Sequence, residues 1–432
     1  MQNKTTNMKD LKIKALIPIG VFLIIYLIPG WLSGDFYRMP IIISFLVAAF
    51  VALFMAPGKK LTNKMEVFTK GMGHPGIMMM CLIFILAGAF ANVAREMGAV
   101  DATVNIGLHY LPQQVLIAGL FIIGCFISLA VGTSVGTVVA LTPVAIGLGE
   151  AIDINAAVAV GATIGGAMFG DNLSMISDTT IAATRTQNCQ MKDKFRANIK
   201  LVLPAAIISL IIYLLMPSTA GEHTITINWI DYIKLIPYLT VLIAAVLGMN
   251  VFLVLSMGII LAGGIGLITE DFHFWSFLSS INNGMQGMAE IVVVSMLVGA
   301  IVEVVRVNGG IDYLITHIGK RTKGQKGAEF SIAALTGIVN VFTANNTIAI
   351  LMSGPIVKNI ADKFKIAPQR SASLMDTASC FVQGTLPYGA QILAAIGLAA
   401  GALSPFEIMS YLFYPYLMGI TVILSIALKK TC

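Results

Sequence analysis

The chain has 432 residues, of which 57% are hydrophobic and only 11% are charged, and its mean hydropathy is +0.88. Soluble domains carry about 25% charged residues, so the composition excludes a soluble protein and predicts an all-α polytopic membrane protein of the cell (inner) membrane. The net charge of +6 reflects basic residues sorted to cytoplasmic loops and gives no indication of nucleic-acid binding. The expected macromolecular environment is the lipid bilayer.

Apolar stretches follow one another along the whole chain. We expect spans near 13–33, 39–56, 76–96, 198–216, 231–248, 250–268, 288–306 and 405–428. Four further stretches, 114–150, 155–187, 328–360 and 371–403, exceed the roughly 20 residues that one crossing helix needs. Each of the four is interrupted by Gly, Ser, Thr, Asn or Pro. The sequence therefore predicts two re-entrant hairpins, at 114–150 and 328–360, and two broken helices, at 155–187 and 371–403.

The second half of the chain repeats the first. Arg95, Gly98 and Asp101 match Arg306, Gly309 and Asp312 at a spacing of 211 residues, and Thr133-Ser134, Pro143, Phe169 and Asp171 match Asn345-Asn346, Pro355, Phe381 and Gln383 at 212. A nearly gapless register of this length predicts a duplicated structure. We assign the first repeat to 1–216, an external linker to 217–230 and the second repeat to 231–432.

Charge predicts how the repeats are oriented. Basic residues cluster at 4–14, 59–70, 192–200, 320–326, 358–370 and 429–430. All of these clusters fall on the cytoplasmic side if each hairpin returns to the side from which it enters, with the first tip at Thr133-Ser134. Each half then crosses the membrane about five times, so the repeats are inverted and both termini are cytoplasmic. Inverted repeats with discontinuous helices are typical of secondary transporters, whose sites lie at the repeat interface.

The first break supplies one candidate half-site. Polar residues there are Asp171, Asn172, Ser174, Ser177, Asp178 and Thr179, and they are expected to face Thr133 and Ser134 at the hairpin tip. Intramembrane carboxylates by default indicate an ion or proton path, and the C-terminal end of the leading half-helix favours a cation. We expect Na⁺ at Asp171, Ser174 and Asp178. An alternative role for Ser177 or Asp178 is to cap the following helix.

The second break supplies the other half-site, which is neutral. Its candidates for binding an ion or a substrate are Asn345, Asn346, Thr347, Gln383, Tyr388 and Gln391. Asp376 lies shortly before this break. It is either a proton carrier or second cation ligand, or the partner of a buried Lys or Arg.

The segment Gly170-Asp171-Asn172-Leu173-Ser174-Met175-Ile176-Ser177-Asp178-Thr179-Thr180 resembles the NhaC-type sodium/proton antiporter family. That family carries a Gly-Asp, Ser, Ser-Asp-Thr-Thr pattern after a helix of small residues. The resemblance implies sodium coupling more firmly than it implies protons as the only exchanged species. Na⁺ and H⁺ are expected as transported or coupling ions, and no cofactor is expected. Its relatives also include carriers of organic acids and amino acids.

The function expected from these observations is sodium/proton exchange by alternating access, in which the Asp171/Asp178 site carries either Na⁺ or a proton. The alternative is a sodium-coupled symporter or exchanger of a small organic carboxylate or amino acid, bound at the second half-site. No catalytic triad, metal motif or nucleotide-binding loop is recognisable, so a transporter is expected rather than an enzyme. A homodimer would suit this architecture, although no motif specifies one.

Overall fold

The computed structural model describes residues 13–33, 40–110, 112–175, 177–216, 227–247, 249–311, 313 and 324–428. Within these ranges all regular secondary structure is α-helical, which confirms the all-α class. Most of the predicted linker, 217–226, and both chain termini lie outside the described residues.

The first half contains ten helices in the described ranges: α1 Ile17–Ser33, α2 Ile41–Met55, α3 Leu61–Met72, α4 Pro75–Glu96, α5 Ala99–Tyr110, α6 Gln113–Val131, α7 Ser134–Ala151, α8 Ala156–Leu173, α9 Asp178–Gln187 and α10 Met191–Leu215. The second half is described by α11 Trp229–Val246, α12 Val251–Ile268, α13 Phe274–Gly287, α14 Ala289–Val307, α15 Gly324–Thr343, α16 Asn346–Lys363, α17 Pro368–Thr385, α18 Ala390–Leu398, α19 Pro405–Ser410 and α20 Phe413–Ala427. Helices α1–α4 and α6–α9 recur about 212 residues later as α11–α14 and α15–α18, and α10 corresponds to α19 and α20. Most residues equivalent to α5 lie outside the described ranges.

The interruptions have local causes in the sequence. Gly132 adopts φ 74° and ends α6, and Thr133 then accepts a hydrogen bond from Gly136 N and caps α7. Asn345 caps α16 in the same way by accepting from Ile348 N. Left-handed backbone followed by a polar N-cap is a combination that ends one helix and starts the next. Thus α6–α7 and α15–α16 occupy the predicted hairpins, whose membrane orientation stays a prediction.

Several helices differ from the sequence-based expectation. Helices α3, α5 and α13 lie where no span was predicted, and the span expected at 405–428 is divided into α19 and α20 around 411–412. These helices have 6 to 15 residues, and α3, α5 and α13 mix polar with apolar positions. Hydropathy averaged over the length of a full span therefore does not reveal these helices.

Five segments among the described residues are long and apolar enough to cross a membrane: Pro75–Glu96, Ser134–Ala151, Met191–Leu215, Val251–Ile268 and Phe274–Val307. A sixth is obtained if α5 and α6, which meet at 116°, count as one bent span. The protein is therefore a multi-pass membrane protein. The expected number of about five crossings in each half stays a prediction.

The two halves are joined at a pair of glycine crossings. A methyl group added to Gly88 of α4 would lie 2.2 Å from the carbonyl oxygen of Gly284 of α13, and one added to Gly71 of α3 would lie 2.5 Å from that of Gly299 of α14. Because α3 and α4 correspond to α13 and α14, the two crossings are equivalent under exchange of the halves. Contacts of α7 with α18 and of α9 with α16 repeat this exchange. The halves are thus packed with approximate twofold symmetry.

Replacing Gly284 by Ala should destabilise the protein by roughly 1–3 kcal/mol, because the added methyl group must displace the backbone of α4. The matched control is Gly264→Ala on α12, where no atom lies within 4 Å of the added group and Ala is the better helix former by about 0.5–1 kcal/mol. Thermal unfolding of both variants in detergent checks the expectation. Equal unfolding temperatures would contradict the backbone contact.

Candidate functional site

The first break is shorter than the sequence suggests. Helix α8 continues through Leu173, so Asp171 and Asn172 belong to its last turn, and Ser174 ends the helix by donating its N–H to the carbonyl oxygens of Gly170 and Asp171. Helix α9 begins at Asp178. The second break behaves alike, since Gln383 lies in the last turn of α17 and Gln391 in the first turn of α18. The expectation that Asp171 and Asn172 lie within the break is therefore wrong, because α8 continues past both residues.

A cavity of about 170 Å³ lies where the two breaks and the two hairpin tips meet. Helix α4 also lines the cavity and contributes Gly76, Met79, Met80 and Ile83. The predicted site residues that line the cavity are Thr133, Ser134, Asp171, Ser177, Asp178, Thr179, Asn345, Asn346, Thr347, Gln383 and Gln391. Residues from both halves thus converge on one space.

Asp171 is the buried carboxylate of this cavity, with only 5% of its surface exposed. Its Oδ2 accepts a hydrogen bond from Ser134 Oγ at 2.9 Å, and its Oδ1 accepts one from Ser177 Oγ at 2.5 Å. Ser177 Oγ lies 2.9 Å from Thr179 Oγ1. Each oxygen of the carboxylate therefore accepts a hydrogen bond from a hydroxyl group. Asp178, in contrast, is exposed.

A chain of hydrogen bonds links Asp171 to the second half. Gln391 Nε2 donates to Ser134 Oγ at 2.9 Å, and Gln383 Nε2 lies 3.4 Å from Gln391 Oε1. The amide oxygen of Gln383 has no hydrogen-bond partner among the described residues. The neutral half-site is thus in contact with the acidic one.

Four predicted residues do not line the cavity. Asn172 donates to Tyr414 Oη at 3.1 Å, and Tyr388 donates to the carbonyl oxygen of Val341 at 2.8 Å. Ser174 is buried at the end of α8. Asp376 is fully buried and forms an ion pair with Lys194, Oδ2 to Nζ 2.6 Å.

Lys194 is the functional candidate that the sequence reading missed. It was assigned to a cytoplasmic basic cluster, but only 1% of its side chain is exposed. Its ammonium also donates to the carbonyl oxygen of Asn172 at 3.1 Å and to Thr180 Oγ1 at 2.7 Å. Lys194 therefore connects both sides of the first break to α17 in the other half.

Asn198, four residues further along α10, reinforces this connection. Its Nδ2 donates to Asn172 O at 2.8 Å and to Asp376 Oδ2 at 2.9 Å, and its Oδ1 accepts from Ser373 Oγ. A Lys and an Asn at this spacing lie on one helix face. That pairing, together with the isolated Asp376, is the signal that could have indicated the contact.

The electrostatics of the cavity favour a cation. Two carboxylates, Asp171 and Asp178, line it, while no Lys, Arg or His is found among its lining residues in the described part of the chain. Carboxylate, hydroxyl and amide oxygens are the ligands that hard cations prefer. The arrangement can therefore hold a small cation beside a buried carboxylate, or a proton on it.

Comparisons with known proteins find several similar proteins. The chain is 22% identical to the malate-2H(+)/Na(+)-lactate antiporter of Bacillus subtilis, over 94% of both chains. It is 24% identical to the Na(+)/H(+) antiporter NhaC of the same organism, over 93% of this chain and 97% of that one. A solved structure, the YdaH transporter of Alcanivorax borkumensis, matches 90% of this chain and 96% of its own at 13% identity, with a TM-score of 0.43.

The model of the Na+/H+ antiporter family matches this chain twice, at residues 7–217 and 219–429. One match falls on each half, as expected for a duplicated protein. Together the two matches span nearly the whole chain, and the resemblance found at the first break is confirmed. The chain belongs to the Na+/H+ antiporter family.

Proposed function

We propose that this protein exchanges sodium ions for protons and that Asp171 is the group for which the two compete. The observation that carries the proposal is the burial of Asp171 beside a cavity that contains oxygen ligands from both halves. A buried carboxylate is costly while it is charged and unpaired. Either a proton or Na⁺ removes that cost, so binding of one favours release of the other.

The sodium ligands proposed from the geometry are Asp171, Ser134, Ser177 and Thr179. Ser134 and Ser177 donate to the carboxylate here, and each hydroxyl also has lone pairs that it can turn towards a cation. This set replaces the earlier expectation for Ser174, which lies outside the cavity lining. Asp178, at the exposed part of the lining, attracts the ion without enclosing it.

Transport requires that this site face each side of the membrane in turn. Inverted repeats with sites at their interface achieve this by moving one group of helices against another. The cavity is lined by α7, α8, α9, α16, α17 and α18, which carry the site residues, and by α4, which carries none of them. The boundary between these two groups of helices therefore runs through the site. We propose that relative motion along this boundary provides alternating access.

The test uses purified protein in liposomes with a pH-sensitive dye inside. Adding external sodium chloride should move protons out of the lumen, and potassium chloride at the same concentration should not. Protein-free liposomes give the leak. A wild-type protein that moves protons equally with either salt, or with neither under any solute condition, would contradict sodium/proton exchange.

An organic solute is the second candidate, because the cavity is much larger than a single Na⁺ requires and its second half-site is neutral. The name of the malate-2H(+)/Na(+)-lactate relative supports it. The same liposomes should be tested with a panel of small carboxylates and amino acids. Sodium-driven proton movement that starts only when one of these is supplied would replace simple exchange by solute-coupled transport.

Asp178→Asn should raise the sodium concentration needed for half-maximal transport by about fivefold without abolishing transport, because an exposed charge contributes on the order of 1 kcal/mol through its field. High ionic strength should reduce the difference, since salt screens exposed charges. A complete loss of transport with normal folding would instead make Asp178 a direct ligand.

We also propose that both chain termini are cytoplasmic. In a variant without the five native cysteines, Gln325→Cys should react with a membrane-impermeant thiol reagent only after the cells are opened. Ala220→Cys should react in intact cells. The reverse pattern would invert the proposed topology.

A further inference from the structure

A long apolar groove runs between α15, α17 and α20, away from the ion cavity. Its volume is about 310 Å³, and its lining includes Phe330, Ala333, Gly337, Ala378, Val382 and Ile423. Phe330 is 41% and Ile423 53% exposed. The groove is therefore open at the surface formed by the described residues.

The corresponding helices of the first half leave no such space. A methyl group added to Gly166 of α8 would lie 2.2 Å from the carbonyl oxygen of Phe121 on α6, and one added to Gly170 would lie 2.4 Å from that of Cys125. Helices α6 and α8 are thus in direct backbone contact, as small residues permit in membranes.

The second half carries larger residues at two of the equivalent positions. At the spacing of 212 residues, Gly166 corresponds to Ala378 and Gly170 to Val382. A methyl group on Gly337 would lie 3.1 Å from Val382 Cγ2, and 3.9 Å from the nearest backbone atom of α17. The Val382 side chain therefore keeps α15 and α17 apart, and the groove lies where the first half has a close contact.

One end of the groove is basic. Next to Phe330, Arg370 donates to Glu329 Oε2 at 2.8 Å and to Ser425 Oγ at 2.9 Å. Lys326, one turn before Phe330, donates to the carbonyl oxygen of Ala427 at 2.7 Å. Two cations and one carboxylate give this group of side chains a net positive charge, which attracts an anionic headgroup.

We propose that the groove binds one anionic phospholipid, with an acyl chain along the apolar walls and its phosphate at Lys326 and Arg370. Basic pockets between membrane helices are suited to anionic headgroups, and Arg pairs well with phosphate oxygens. The walls Ala378 and Val382 lie on α17 between Asp376 and Gln383. A bound lipid would therefore support the helix that carries the second half-site.

Native mass spectrometry of the purified full-length protein tests the proposal. Delipidated protein is mixed with phosphatidylglycerol or with phosphatidylcholine of the same acyl chains. Wild type should retain one phosphatidylglycerol at least about fivefold more strongly than phosphatidylcholine, as expected for a basic headgroup site. Equal retention of the two lipids by wild type would overturn the headgroup assignment. This comparison uses the wild-type protein alone.

Two variants separate the parts of the site. Ala334→Phe, which fills the groove, should lower retention of both lipids about tenfold, since it removes the apolar seat. Lys326→Gln should lower only the preference for phosphatidylglycerol. The controls are Ile260→Phe on α12, at a position 70% exposed, and Lys358→Gln in a surface ion pair. Retention in Ala334→Phe equal to that in Ile260→Phe would overturn the groove as the binding site.

Discussion

Asp171→Asn should abolish sodium-driven proton movement in liposomes while leaving the protein folded. Asn keeps the size of the side chain and one oxygen that can accept from Ser134 or Ser177. It can neither carry the transported proton nor neutralise a cation. Loss of hydrogen bonds and charge interactions worth about 1.5–3 kcal/mol should lower sodium affinity roughly 10- to 100-fold, and the proton exchange should be lost altogether.

The control for this variant is Asp362→Asn, which removes a carboxylate that is 60% exposed and pairs with Lys358 at the surface. Its transport rate should equal that of wild type. Matching circular dichroism and unfolding temperatures would show that Asp171→Asn is folded. Normal sodium-driven proton movement in the Asp171→Asn variant would remove the central part of the proposed mechanism.

Lys194→Met should destabilise the protein by about 3–5 kcal/mol, because it leaves the Asp376 carboxylate buried without its partner. The loss extends beyond the ion pair, since Lys194 also holds Asn172 O and Thr180 Oγ1. Asp376 Oδ1 already has no hydrogen-bond partner among the described residues. Thermal unfolding in detergent should show a large decrease in the unfolding temperature.

The double variant Lys194→Met/Asp376→Leu should recover much of this loss, since two apolar groups leave no unpaired charge. Lys358→Met, in an exposed pair, should change stability by less than about 1 kcal/mol. If Lys194→Met were as stable as Lys358→Met, the buried ion pair could not be an important link between the halves.

Sequence reasoning locates most of the polar residues that line the candidate cavity, because polar residues inside apolar stretches have few uses other than a break or a ligand. Thr133, Asp171 and Asn345 are located in this way, and the repeat spacing indicates that both sets belong to one interface. The wall formed by α4 could not be predicted. Met79 and Met80 are apolar residues in an apolar helix, so nothing in their pattern distinguishes a cavity wall from a lipid-facing surface.

Lys194 was misplaced for a different reason. Charge sorting is a statistical rule about loops near a membrane, and it treats every Lys in a cluster alike. Whether one member of the cluster is buried depends on which helix packs on that face of α10, and here that helix is α17, about 180 residues further along the chain. Helices α3 and α13 were missed because their polar faces lower the average hydropathy.

The hydrogen bonds around Lys194 limit how the two broken helices can move. The Lys194 ammonium contacts the end of α8, the start of α9 and the middle of α17. If the two broken helices moved apart, Lys194 and Asp376 would be left as unpaired charges in the protein interior. If the proposed mechanism holds, we therefore expect both broken helices to move as one rigid unit together with the bound ion. The flexible thioether side chains of Met79 and Met80 on α4 give that unit a deformable surface to slide against.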